Sequence, residues 1–391
     1  MFRGVFLTGL FLLSSFIPSP EGLDVIRIGI LTNRDIRAIQ VHPETEGYKL
    51  VADGSVLTSL DLSSRFSLIN SGGYVRVKTP EKDLGQYKNI ELLTTNSESY
   101  FRLYSIVPNG IERVYDDNLV VSSTSEGLKI INEVGLEKYI AGVVEAESGK
   151  EKHIEFYKAQ AIISRSYALN NSRRFLNNGY NLNDLVDCQV YHGRARWEPV
   201  ILQAVNATRG KVLVDSEMDL ITAAFHSNSG GETVSSEVVW SGSLSYLAKR
   251  EDRFSLNGDH ARWEKTISKK DWLNYLSSKH GLDTSDRLLQ EMAQNYSQKN
   301  RHVYFLDPIF KIPLKDIRSD WSLNSTFFNI EPLSSDSLIL KGRGFGHGTG
   351  LSQEGAMRMA ELGFSHVDIL HFYYDDVHII HLEAIEFFRI D

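Results

Sequence analysis

The stretch GLEKYIAGVVEAESGKEK, Gly135 to Lys152, decides the reading of this chain. Leu136, Tyr139, Ile140, Val143 and Val144 fall at i, i+3, i+4, i+7 and i+8, which places one apolar stripe along a helix. Two carboxylates, Glu145 and Glu147, then stand just before a Ser-Gly break. A helix ends in unpaired carbonyls, so that end disfavours a negative charge, and partial burial disfavours it further. Both effects keep a glutamate protonated nearer neutral pH. A protonated carboxyl is what glycosidic cleavage needs, because the leaving oxygen must accept a proton. Glu147 is therefore the candidate acid. On this stretch alone, a solvated helix-end glutamate is the commoner arrangement.

Upstream, residues 24 to about 125 read as β-rich. Val25–Leu31, Tyr48–Gly54, Gly73–Thr79 and Asn118–Ser123 are short and rich in β-branched residues, with Gly, Asn, Asp or Pro between them. No catalytic constellation is visible there. Downstream, a second helix is expected from about Ile154 to Phe175, with Lys158, Ile162 and Arg165 on one face. Thr208–Val214 and Leu220–Ser227 read as strands paired around a turn. Residues 270–300 read as helical and polar and say little more. Ser337 onward reads as strand, glycine loop and helix, with Ser352 as the cap and Gly363 as the stop.

The totals narrow the function. A chain of 391 residues suggests about two domains, and a net charge of -8 with no lysine or arginine run argues against nucleic acid as a partner. Met1-Phe2-Arg3 followed by the uncharged apolar run Gly4–Phe16 and IPSPEG has the layout of a secretory signal, so export to the periplasm, cell wall or exterior is expected. No later segment is long and apolar enough to span a bilayer. Cys188 is the single cysteine, so no intrachain disulfide is expected.

Three further stretches could carry chemistry. FHSNSGGET, Phe225 to Thr233, offers His226, Ser227 and Ser229, but adjacent His and Ser on a strand face opposite ways, and the chain has no G-x-S-x-G elbow. A sugar-binding edge is preferred over a nucleophile. GRGFGHGTG, Gly342 to Gly350, lacks the G-K-[ST] of a phosphate loop, so its glycines read as permitting close approach of backbones or a saccharide, with His347 able to contact a ligand or to make a structural hydrogen bond. DCQVYHG, Asp187 to Gly193, sets Cys188 four residues before His192, too few ligands for a structural zinc and without an orienting third group for a Cys-His nucleophile.

Taken together, INEVGLEKYIAGVVEAE, FYKAQAIISRSYAL, CQVYHG, AVNATRGKVL, FHSNSGGET, LNSTFFNI and GRGFGHGTGLSQEGAMRMAELG resemble, in order, the stage II sporulation protein D family, also called the SpoIID/LytB domain. The resemblance covers residues 118–381. With the readings above, it gives an α+β protein: a signal segment at 1–23, a β-rich N-terminal domain at 24–117, a mixed α/β core with a substrate cleft at 118–381 and a C-terminal tail at 382–391. The family includes peptidoglycan lytic transglycosylases and proteins described as amidase enhancers. The resemblance puts the catalytic glutamate on Glu147 and supporting cations on Lys158 and Arg165. Gln189, Tyr191, His226, Ser227, Ser229, His347 and Gln353 are the further residues expected to bind substrate. Two departures stand out. The family often reads E-M-P where this chain has Glu147-Ser148-Gly149, and some members bind zinc where this chain has Asn183 and Asp187, so no metal or other cofactor is expected. The expected partners are peptidoglycan glycan strands and a cell-wall amidase.

Overall fold

The structure is a computed structural model that describes residues 24–240 and 242–388; the expected export segment lies outside them. It is an α+β architecture with a β-rich N-terminal part. Two antiparallel sheets fill the region before the first helix. One runs Glu112–Asp116, Tyr100–Val107, Ala38–Pro43, Phe66–Asn70, Val75–Lys78 and Asp83–Tyr87. The other runs Val25–Ile30, Leu128–Gly135, Asn118–Ser123, Asn89–Leu93, Lys49–Ala52 and Ser55–Ser59, with Leu182–Asn183 added in parallel to its first edge. Strand alternation explains the layering. In Tyr100–Val107, Phe101 and Leu103 are buried while Arg102 and Tyr104 are not, the two-residue period of a half-buried strand.

The larger sheet crosses the boundary expected at 117/118. Asn118–Ser123 pairs with Asn89–Leu93, and Leu128–Gly135 pairs with Val25–Ile30. One apolar core runs from Ile28, Ile39 and Phe66 through to Tyr139, Val143, Phe156 and Ile162. The change of period at Gly135 thus marks a change of element within one packed body. The Leu128–Gly135 strand passes straight into helix α1 (Leu136–Ser148), which packs on α2 (Ile154–Asn170) and on α3 (Pro199–Ala207). The second helix ends at Asn170, short of Phe175, where the Asn170-Asn171-Ser172 run favours a turn and the Asn171 side chain bonds back to the Tyr167 carbonyl at 2.9 Å.

Two other expectations change. Lys211–Val214 pairs along its length with His378–His381, while its contact with the following segment is a single bridge, Val214 to Leu220. Part of the expected tail is a helix, Leu382–Phe388. Residues 262–343 also build a compact unit of their own. Arg262–Ser268 and Phe328–Pro332 flank Ser337–Arg343 in a three-stranded antiparallel sheet. Trp272, Leu276, Phe305, Ile317 and Leu340 fill a separate core beside it. Among the described residues, no helix is long and apolar enough to cross a membrane.

Candidate functional site

Helix α1 starts on Gly135, whose N–H donates to the Asp117 carboxylate at 2.8 Å. Its far end is held from three directions. Gly149 takes φ 68°, the left-handed region that favours glycine, and returns its N–H to the Glu145 carbonyl at 3.3 Å. Tyr157 of α2 donates its hydroxyl to the Gly149 carbonyl at 3.0 Å. The loop from Asp187 to Trp197 then crosses the helix. It comes so close that a Cβ on Gly142 would sit 2.2 Å from the Gly193 carbonyl oxygen.

That loop is gripped by both acids singled out above. Glu147 Oε1 accepts the N–H of Val190 at 2.6 Å. Glu145 accepts the N–H of Trp197 at 2.8 Å and that of Arg196 at 3.0 Å. Glu147 lies in the last turn of α1 and is half-buried. Burial pushes its carboxyl above the ordinary range, against the Val190 hydrogen bond, which pulls it down.

Gln353 joins this place from the far end of the sequence. It opens the helix Gln353–Glu361, which Ser352 caps through the Gly355 N–H, and Gly363 follows that helix at φ 91°. Its Nε2 lies 3.5 Å from the Glu147 backbone carbonyl and 3.4 Å from Gln160 Oε1. The start of the Gln353–Glu361 helix and the end of α1 thus converge.

The other expected site residues are placed differently. Arg165 is fully buried and clamps Glu137 with two hydrogen bonds, 2.9 and 2.6 Å, while also donating to the Lys211 carbonyl at 2.8 Å. No part of that guanidinium is open to a ligand. Lys158 pairs with Glu155 at 2.6 Å, and Glu155 also accepts from His366 at 2.7 Å. Burial works to raise the Glu155 carboxyl, but hydrogen bonds from Lys158 and His366 prevail and hold it at about 2. Tyr191 is buried under α1 and donates to Asn132 at 2.9 Å. Gln189 is buried and donates to the Ser164 carbonyl at 3.2 Å.

His226 and His347 join the Phe225–Gly230 segment to the glycine loop, and Ser229 ties that segment to Asp252. Ser229 donates to Asp252 at 2.8 Å, His226 Nδ1 lies 3.1 Å from the Thr349 carbonyl, and the two histidine rings sit 5.4 Å apart. His347 Nε2 is 2.9 Å from the Phe225 carbonyl while its Nδ1 accepts the Thr349 N–H, the pattern of a neutral ring; burial lowers its pKa to about 4. Gly346 is needed here: at φ 112° its Cβ would meet that of His226 at 2.7 Å. Ser227 is half-buried, and its carbonyl accepts the Glu354 N–H at 3.0 Å. The corner holding Cys188 is closed by an ion pair, Arg174 to Asp187 at 3.2 Å, with Asn183 3.4 Å from the same carboxylate.

Residues 124–214, which contain α1, the crossing loop and Glu147, match the SpoIID family, described as Stage II sporulation protein. The chain carries a SpoIID-family domain. Relatives extend the likeness beyond that segment. The chain is 26% identical over 365 residues to an uncharacterized protein of Brachyspira hyodysenteriae, covering 91% of this chain and 93% of that one. It is 28% identical over 269 residues to a protein named Stage II sporulation protein D of Bacillus subtilis, covering 65% of this chain and 77% of the other. It is also 28% identical over 288 residues to a Bacillus subtilis protein named Amidase enhancer, covering 60% of this chain and 39% of that longer one.

Sequence reasoning missed Val190, Gln160 and the capping role of Glu145. Val190 acts through its backbone, which leaves no side-chain signal. Gln160 sits on a helix face that reads as core.

Proposed function

We propose that this protein acts on the bacterial cell wall as a lytic transglycosylase, with Glu147 as its acid and base. The family match and the names of its relatives support the cell-wall role. The observation that carries the finer reading is the half-buried Glu147 carboxyl, raised by burial at the end of a helix. A carboxyl that retains its proton donates it to the glycosidic oxygen between N-acetylmuramic acid and N-acetylglucosamine. The bond breaks with oxocarbenium character at the anomeric carbon. The sugar's own C6 hydroxyl then attacks that carbon and closes a 1,6-anhydro ring. Glu147, now ionised, takes the hydroxyl proton and is restored. Gln353 beside the Glu147 carbonyl would fix the helix end during the cycle.

The test uses the mature protein and peptide-stripped glycan strands, with mass spectrometry for anhydro-ended products. Glu147→Gln keeps the Val190 acceptor but cannot deliver the proton, so products should fall at least 100-fold, the usual scale for a lost general acid. Unchanged turnover in that variant would remove Glu147 from the role.

A second reading is favoured by specific contacts. Lys158 and Arg165 are committed to Glu155 and Glu137, and the Glu147 carboxylate already holds a backbone N–H. A domain so tied could bind glycan without cutting it and stimulate an amidase. Glycan binding with no anhydro products from the wild type supports that reading.

A further inference from the structure

A groove of about 460 Å³ lies beside the end of α1, walled by Glu145, Ala146, Gly149 and Lys150 on the helix side and by Arg196 and Trp197 on the loop side. Its charges divide into two kinds. The acids at the groove are occupied: Glu145 accepts the Arg196 and Trp197 N–H groups, and Glu112 pairs with Arg102. Two of its cations are occupied as well, Arg113 by Asp184 and Arg194 by Asp116. Lys150 and Arg196 are not. Among the described residues neither has a carboxylate within ion-pair distance. Each lies against the Trp197 ring instead, 4.9 Å from its centroid. Trp197 is 59% exposed, so this aromatic-cation cluster faces solvent.

We propose that Lys150 and Arg196 form a subsite for a carboxylate carried by the glycan strand. The inference rests on the cell-wall reading above and names a charge that reading leaves unassigned. The loop is preorganised for it. Glu145 fixes the Arg196 and Trp197 backbone, and Glu198 holds the Glu151 N–H at 3.2 Å next to Lys150. A planar guanidinium and an ammonium held over one ring suit a carboxylate better than a neutral hydroxyl-rich sugar face. In a chain of net charge -8, such a locally unpaired positive pair would favour approach of an acidic polymer at this groove. Peptidoglycan offers that group in two forms, the lactyl carboxylate of a peptide-stripped muramyl residue or a carboxylate of an attached stem peptide.

The experiment measures equilibrium binding of the full chain to three probes: peptide-stripped glycan strands, strands that keep their peptides, and neutral chitin oligosaccharides of matched length. Wild type should prefer a carboxylate-bearing strand. The double substitution Lys150→Met with Arg196→Met should weaken that strand at least tenfold and leave the chitin affinity unchanged. Loss on stripped strands assigns the lactyl group, and loss confined to peptide-bearing strands assigns the peptide. Equal wild-type affinity for all three probes, an unchanged double variant, or an equal loss on chitin overturns the proposal. Anhydro product is scored in parallel on wild type. Charge-selective binding without product would sink the transglycosylase reading and leave this subsite standing, while product formation with an unchanged double variant would do the reverse.

Discussion

Arg165 offers the sharpest separation of a structural from a functional cation. Its side chain is fully buried, and its partner Glu137 also accepts the Gly210 N–H at 3.2 Å. One ion pair therefore joins the start of α1, the fourth turn of α2 and the approach to the Lys211–Val214 strand. Glu137→Ala would leave the guanidinium in the interior with only the Lys211 and Ala161 carbonyls as acceptors. Breaking a buried pair from one side costs about 3–5 kcal/mol, because the remaining charge keeps its desolvation penalty. Removing both charges with shape retained, Glu137→Leu with Arg165→Met, should recover most of that loss. The assay is urea denaturation followed by far-UV circular dichroism, with glycan affinity measured well below each midpoint. The expected result is a large fall in stability for the single variant, recovery in the double variant, and glycan affinity near wild type in the double variant. A single-variant loss under about 1 kcal/mol, the range of an exposed pair, would refute the burial argument. Affinity lost in the stable double variant would return Arg165 to the substrate.

Two further outcomes can be measured on the same preparation. Folded His347 has a pKa of about 4 against about 6.5 unfolded, so the unfolded chain binds the extra proton between those values; stability should fall by on the order of 3 kcal/mol as pH drops from 6.5 to 4, and His347→Gln should flatten that slope in denaturation at stepped pH. Gly142→Ala would force a Cβ toward the Gly193 carbonyl and the Tyr191 ring; despite alanine's better helix propensity it should destabilise by about 1–3 kcal/mol and raise the glycan Kd, and a stabilised variant would show that the loop does not press on the helix.

How far the sequence reached follows from what each residue type can signal. The α1 stripe, the β-rich start and the Ser352 cap were legible because periodicity and capping are local. The continuity of the larger sheet across residue 118 was not. Strand order depends on which edges pair, and an alternating strand looks the same whether its neighbour lies in its own segment or a hundred residues away. The separate core under Trp272 was hidden for a related reason. The helix Lys269–His280 buries only Trp272 and Leu276, too few apolar residues to mark a domain. The side on which each motif residue faces was not legible. Ser229 and Arg165 are polar residues facing inward, satisfied by Asp252 and Glu137 from elsewhere in the chain, and the buried His226 reaches the Thr349 carbonyl through Nδ1. Only coordinates tell such a residue from one that waits for a ligand.

The same distinction can be applied to Glu147 through stability. Its folded pKa is raised, so between the unfolded value near 4.3 and the higher folded value the native state binds more protons than the unfolded chain. Stability then falls as pH rises through that window, and above it the ionised carboxylate weighs against the fold. Glu147→Gln removes the charge and keeps an oxygen to accept the Val190 N–H. If the carboxylate is there to hold the loop, the substitution weakens a charge-assisted hydrogen bond and the protein loses stability at pH 7. If it is there to move a proton, the fold carries it at a cost, and the glutamine variant unfolds at equal or higher urea while product formation collapses. Glu145→Gln supplies the control, since that side chain caps two N–H groups of the same loop and should lose stability either way. A destabilised Glu147→Gln that still cuts glycan would leave the residue as a loop anchor and nothing more.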